Sequence, residues 1–369
     1  MADHEHDETD GVHASPAPHP GSDPLVPGGT ALIPGTAPSM ALARSLPIPT
    51  DALPTVSAYD LFVCQMSSDS SEARIDAMRR LSVVAAAMGT DDCLSTLFPY
   101  LASNVAMNEE EEDEVLLLLA DQLGNLVPGL IPGSRALPTL PLLERIASAE
   151  ETVVRDKAVE SINKVVPCLA AAASAGGSDQ ALEGGDADSG GDAVESAAPP
   201  AGGAPALLLA MAKRLAGADW FTAKISAAGI LPAVYRFFHT SGSPGSSEAC
   251  REIRSLYKKL SDDETPMVRR SSGKHLGKFV EAVAHLPKTA AELSEGRPDL
   301  LGLDPQIRRV VLDEIVPMYQ GLGTDEQDSV RLLAVAASGS VGCALGIEPE
   351  LTSDLVYPVV RGGCQDLSW

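Results

Sequence analysis

The feature that most limits what this chain can become is a phrase that returns about every forty residues. "ETVVRDKAVES" begins at Glu151, "ETPMVRRSSG" at Glu264 and "EQDSVRLLAV" at Glu326: an acid, a hydroxyl or small turn residue, Val and then Arg. Aligned on the basic residue, the phrase extends to Arg74, Arg155, Lys224, Arg269 and Arg331, with Leu116 in the same slot. The steps are 42, 39, 69, 45 and 62 residues. The short ones fit a two-helix solenoid unit of about 39–47 residues, and the two long ones contain the large insertions. Five residues before each anchor stands an acid: Asp69, Glu111, Glu150, Asp219, Glu264 and Glu326.

After each anchor the apolar pattern has a helical period. Val154, Ala158, Ile162 and Val165 form one stripe, and Ala73, Ala77, Leu81, Val84 and Met88 form another. Before each acid comes a second apolar segment, often with a proline, as at Pro99, Pro141, Pro317 and Pro358. Each unit therefore reads as helix, short turn, helix. An acid at the turn lies near the positive end of the second helix, Thr or Ser can cap its free N–H groups, and Pro266 suits the first helical position. The Arg, one turn in, is placed to meet an acid of its own or the neighbouring repeat. The predicted fold is all-α, a HEAT-repeat α-solenoid of stacked antiparallel helix pairs wound as a right-handed superhelix, with about six and a half repeats over 55–369.

Composition supports this class and narrows the function. Apolar residues make up 44% and aromatics 4%, so the core has to be built from Ala, Leu and Val, as stacked helices allow. A net charge of -24 argues against a binder of nucleic-acid backbone. Six scattered cysteines without a CxxC pair indicate neither a zinc site nor a disulfide framework. The N-terminus is acidic and Pro-rich rather than basic and then apolar, and no apolar run reaches the ~18 residues of a span, so no membrane partner is expected. The expected compartment is the cytoplasm, with the nucleus as a second one.

Several stretches lack any period. Residues 1–54 read as a disordered low-complexity tail, whose His4, His6, His13 and His19 have no fixed ligand set around them. Residues 171–205 read as a flexible insertion rich in Gly-Gly pairs, and shorter loops are expected near 241–247 and 286–305.

Beyond the period, the wording resembles one family, the scaffolding A-type regulatory subunits of protein phosphatase 2A. The match rests on "EDEVLLLLADQLG", "EETVVRDKAVESI", "AKRLAGADWFT", "TPMVRR", "DEQDSVRLLAV" and the final "LSW", in the family's order, from about Ala58 to Trp369. Fifteen repeats are usual there, so the sequence looks like the N-terminal part of such a scaffold, as a truncated gene product, a splice form or a short version. Lys224 stands where the family has Arg, and in "SDDETPMVRR" the loop acid is Asp263 or Glu264.

The resemblance implies that the turns within repeats form a ridge that docks regulatory B-type subunits, while the phosphatase catalytic subunit needs C-terminal repeats. Its docking candidates are Asp113, Glu114, Glu150, Glu151, Asp219, Trp220, Phe221, Thr265, Pro266, Met267, Arg269, Asp328, Ser329 and Trp369. Trp220 with Phe221 also stands out on its own, since an aromatic directly after a turn acid is an interface anchor, with packing between repeats as the alternative. A different helical-repeat adaptor, of the transport-receptor kind, would share the period but not these phrases. Catalysis finds no support: Gly321 to Gly323 lacks the third glycine of a dinucleotide fingerprint, "GKHLGK" is not a Walker loop, and His275 and His285 have no ligand or catalytic partner at useful spacing. No cofactor and no metal are expected.

Overall fold

The computed structural model describes residues 56–108, 111–175, 203–241, 245–285, 304–346 and 349–366. Within them the chain is helical throughout, and the helices alternate as the phrase predicts. The first repeat pairs α1 (Ala58–Met66) with α2 (Ser71–Arg79) and α3 (Leu81–Met88). The second pairs α4 (Thr90–Ala106) with α5 (Asp113–Gly129), and the third pairs α6 (Thr139–Ile146) with α7 (Thr152–Ala175). The fourth consists of α8 (Gly203–Ala216) and α9 (Phe221–Ser241), the fifth of α10 (Ser246–Ser261) and α11 (Pro266–Val283). The sixth joins α12 (305–323) to α13 (Asp328–Ala344), and α14 (349–365) stands as the first helix of a seventh. The second helices stack in one layer, α5 on α7, α7 on α9, α9 on α11 and α11 on α13.

The local causes are legible. Ser57 and Ser70 accept the N–H of Asp60 and Ala73 and so cap α1 and α2, while Thr265 in extended conformation hands over to Pro266 at the first position of α11. In α4, α12 and α14 a proline lies inside the first helix, at Pro99, Pro317 and Pro358. Each time a widened π turn ends two residues before it, at Cys93–Leu97, Val311–Ile315 and Thr352–Val356. The wider turn accommodates a residue that offers no N–H and whose ring presses on the carbonyl four residues back. Pro141 sits in the first turn of α6, where no such relief is needed.

The predicted stripe of α7 is wholly buried: Val154, Ala158, Ile162 and Val165 are all at 0% exposure. The stripe expected from Ala73 to Met88 is corrected. The chain leaves the helix at Arg80, so the buried set becomes Ala77, Met78, Leu81 and Ala85, while Ala73, Val84 and Met88 are half-buried.

The interruptions are also narrower than the sequence suggests. Helix α7 continues through Ala175 and α8 begins at Gly203, so the stretch expected at 171–205 reduces to 176–202, outside the described residues. Ser241 closes α9, Ser246 opens α10, and Pro305, capped by the Asp304 carboxylate, opens α12 rather than ending a loop. The tail expected at 1–54 and the bulk of the loop at 286–305 lie outside the described residues. Among the described residues no single helix is long and apolar enough to cross a membrane.

Candidate docking ridge

The turns between the two helices of the repeats line up along one edge, and a ladder of cations ties the first turn to the second and the fourth through the seventh to one another. Arg269 donates from Nη1 to the carbonyls of Asp263 (2.9 Å) and Glu264 (3.1 Å), tightening its own turn. With Nε and Nη2 it reaches the carboxylate of Asp325 in the next turn, at 2.6 and 3.2 Å. Arg331 repeats this, with the carbonyls of Asp325 and Glu326 on one side and Asp366 at 2.6 Å on the other. Arg74 binds the Ser68 carbonyl and Glu112 at 2.7 Å, and Lys224 binds Asp263 at 3.0 Å.

The bridging acids of the fifth and sixth turns stand six residues before their anchor, not five. Asp263 and Asp325 turn their carboxylates back to the preceding repeat, whereas Glu264 and Glu326, one residue on, give Arg their backbone carbonyls. Asp263 also accepts the Thr265 N–H and Asp325 the Gln327 N–H, each two residues on, so one carboxylate closes its own turn and locks the neighbour. Burial pushes both acids up, but these N–H groups and the Lys224 or Arg269 cation outweigh it and leave both below the usual carboxylate range.

What the ladder does not consume faces outward. Asp113, Glu114, Glu150, Glu151, Asp219, Pro266 and Asp328 are exposed, while Thr265 and Ser329 are half-buried. Glu114 is held by Arg79 at 3.1 Å. Trp220 is 68% exposed and packs edge-on to Phe221 at 6.3 Å between ring centres, so the fourth turn presents an aromatic pair to solvent rather than burying it between repeats. Met267 at the fifth turn is 50% exposed. Arg269 is corrected from contact residue to rung: its side chain is 12% exposed and its guanidinium is committed to the ladder. Trp369 lies outside the described residues.

Sequence reasoning missed two neighbours of this row, Val153 at the third turn and Met107 at the second, both exposed. The signal for Val153 was available. Val154 belongs to the buried stripe, so the apolar residue directly before it must point away.

Chemistry elsewhere is sparse. A cavity of about 560 Å³ opens at the opposite edge, where the end of α9 meets the starts of α10 and α12. Its Arg254 is tied to Glu314 at 2.7 Å and to the Tyr235 hydroxyl at 3.3 Å, and burial pushes the Cys250 thiol up, the reverse of an activated nucleophile. His275 lies against Gly229, and burial with the Lys274 and Lys278 charges lowers its pKa to about 4. Among the described residues no group of His, Cys, Asp and Glu could hold a metal ion.

Fold and ridge together define an all-α HEAT-repeat solenoid with its intra-repeat turns along one edge. No protein-family profile matches the chain. It is similar to the A-type regulatory subunit of protein phosphatase PP2A from Schizosaccharomyces pombe, 31% identical over 310 residues, covering 84% of this chain and 42% of the relative. The beta isoform of the human 65 kDa A-type regulatory subunit of serine/threonine-protein phosphatase 2A is 35% identical over 225 residues, covering 60% of this chain and 30% of that protein. The A-type regulatory subunit of PP2A from Saccharomyces cerevisiae is 31% identical over 279 residues, covering 74% and 34%. The chain is therefore a HEAT-repeat protein of the PP2A A-type kind, and it spans less than half the length of the curated relatives it matches. Those relatives are named as regulatory, not catalytic, subunits.

Proposed function

We propose that this chain is a non-catalytic scaffold of a phosphatase 2A-type assembly, and that its ridge docks a regulatory B-type subunit. The observation that carries the reading is the exposed Trp220–Phe221 pair, flanked along neighbouring turns by exposed Val153 and Met267. An aromatic anchor set among apolar neighbours supplies hot-spot energy when a partner excludes water from it. The outward acids Glu150, Glu151, Asp219 and Glu264 surround the row, so the partner's socket should be apolar and rimmed by Lys or Arg.

A binding titration of the purified chain with a purified B-type subunit tests this. Trp220→Ala with Asp219→Lys should weaken binding by about 2–4 kcal/mol, typical of a hot-spot pair, while circular dichroism stays unchanged. Full affinity in the double variant would refute the assignment of the ridge.

A further inference from the structure

Helix α11 carries a line of like charge on its solvent face. Arg270, Lys274 and Lys278 follow one another at intervals of four residues, and all three are exposed. Like charges four apart on a helix oppose each other and cost it stability. Elsewhere the chain does the reverse: Lys157 and Lys164 share Glu160, Arg251 meets Glu248 and Lys258 meets Asp262, each within about one helical turn. Along the line on α11 the one ion pair among the described residues joins Lys274 to Asp156 of α7 at 3.5 Å, with both side chains 56% exposed. Glu281, the one acid of α11, accepts the Ser340 hydroxyl at 3.0 Å rather than meeting Lys278. Solubility does not call for such a row, since in a chain of net charge -24 each added cation brings the total nearer zero.

The neighbouring helix offers a surface of the opposite kind. Leu332, Ala336, Gly339 and Cys343 form the exposed line of α13, and from Leu332 to Ala344 that helix has no charged residue. Two glycines bring the lines side by side. A Cβ at Gly273 would lie 3.1 Å from Leu333, and one at Gly277 would lie 3.2 Å from the Ser340 hydroxyl, so α11 and α13 approach closely over this stretch.

We propose that the open face of α11 and α13 docks an acidic amphipathic helix of a partner protein. Its carboxylates meet Arg270, Lys274 and Lys278, and its apolar line rests on Leu332 to Cys343. Cations four residues apart match carboxylates four apart on a second helix, because both rows repeat about every 6 Å. Small side chains on α13 let the incoming helix lie close, in the manner of a helix laid into a groove. The apolar line is what separates this occupant from a nucleic acid, whose phosphate backbone has nothing to bury there. The surface is distinct from the Trp220–Phe221 row, and the proposal holds whichever subunit that row docks.

Fluorescence anisotropy with the full chain and a labelled helical peptide, Glu at i, i+4 and i+8 with Leu directly before each, tests this. The peptide should bind, with an affinity that falls as salt rises from about 50 to 200 mM, and its counterpart with Lys for Glu should not. Arg270→Glu, Lys274→Glu and Lys278→Glu together should weaken the acidic peptide by at least about tenfold and admit the Lys peptide, a reversal that no folding defect produces. Arg251→Glu, Lys258→Glu and Lys259→Glu on α10 change the net charge equally and should leave the acidic peptide's affinity within about threefold. Lys274→Gln with Lys278→Gln should keep or raise the urea midpoint, since the line holds no part of the fold together. A lowered midpoint, no binding of the acidic peptide, equal losses in the two triple variants, or tighter binding of a single-stranded RNA of equal charge overturns the proposal.

Discussion

Asp325→Ala removes the carboxylate that Arg269 grips with two nitrogens, in a pair whose side chains are only 12% and 8% exposed. Losing one partner of a fully buried ion pair costs about 3–5 kcal/mol, because the other charge stays behind without its partner. Arg269 keeps the carbonyls of Asp263 and Glu264 and the exposed Glu326 carboxylate at 3.2 Å, and the edge is near water, so about 2–3 kcal/mol is expected here. The coupling in an Arg269→Ala, Asp325→Ala double-mutant cycle should be about 2 kcal/mol. The Arg251–Glu248 pair provides the contrast, since it is also short at 2.8 Å but 67% and 70% exposed, and its coupling should stay at about 0.3 kcal/mol, that of a surface pair one helical turn apart. Urea denaturation measures both, as midpoint shifts at constant slope. A coupling below about 0.5 kcal/mol at Arg269–Asp325 would refute the ladder as a structural device and leave it an ordinary surface pair. The sign with pH is fixed as well. Both Asp263 and Asp325 lie below their unfolded value, so the ladder's contribution is present above about pH 4 and is lost as pH falls through the lower folded values.

His275 works in another window: its pKa is about 4 in the fold and about 6.5 unfolded, so stability should fall by up to about 3 kcal/mol as pH drops from 6.5 to 4. His275→Gln should flatten that part of a pH series of urea midpoints; an unchanged slope would count against it. Tyr257→Phe removes a 2.6 Å hydrogen bond from a fully buried hydroxyl to the Ser272 carbonyl, and thermal melts should show a loss of about 1–2 kcal/mol. Gly124→Ala would press a Cβ into the Ser161 Oγ of the neighbouring helix, so thermal melts should show a loss of about 1–3 kcal/mol, with Ser161→Gly restoring part of it.

The repeat made the architecture legible because its period, stripe and turn residues are all local. The α7 stripe and the Thr265–Pro266 helix start could be read without any contact between distant residues. The break at Arg80 could not, since the apolar spacing from Ala77 to Leu81 is regular and only the packing of two short helices turns the face. The site was half legible. Trp220 announced itself by rarity and position, but whether an acid is rung or contact depends on the neighbouring repeat. Glu264 and Asp263 are adjacent and chemically alike, and only the stacking decides that the second reaches Lys224 while the first faces water. Arg269 was read as a contact for the same reason.

That one-residue distinction explains how a single turn can serve stability and recognition at once. The acid six residues before the anchor points back along the stack and is spent on the preceding cation, so it cannot meet a partner without opening a junction. Glu264, at the following position, lends its carbonyl to Arg269, and its carboxylate is at the surface. Substitutions there, such as Glu264→Gln, should alter partner affinity and its salt dependence while changing stability by less than about 0.5 kcal/mol. Asp263→Asn should do the reverse, costing stability through Lys224 and the Thr265 N–H with little direct effect on an interface it does not reach. Measuring both variants by urea denaturation and by titration against a B-type partner separates the two roles. Equal effects of the two substitutions on stability would mean that the division of labour within the turn does not exist.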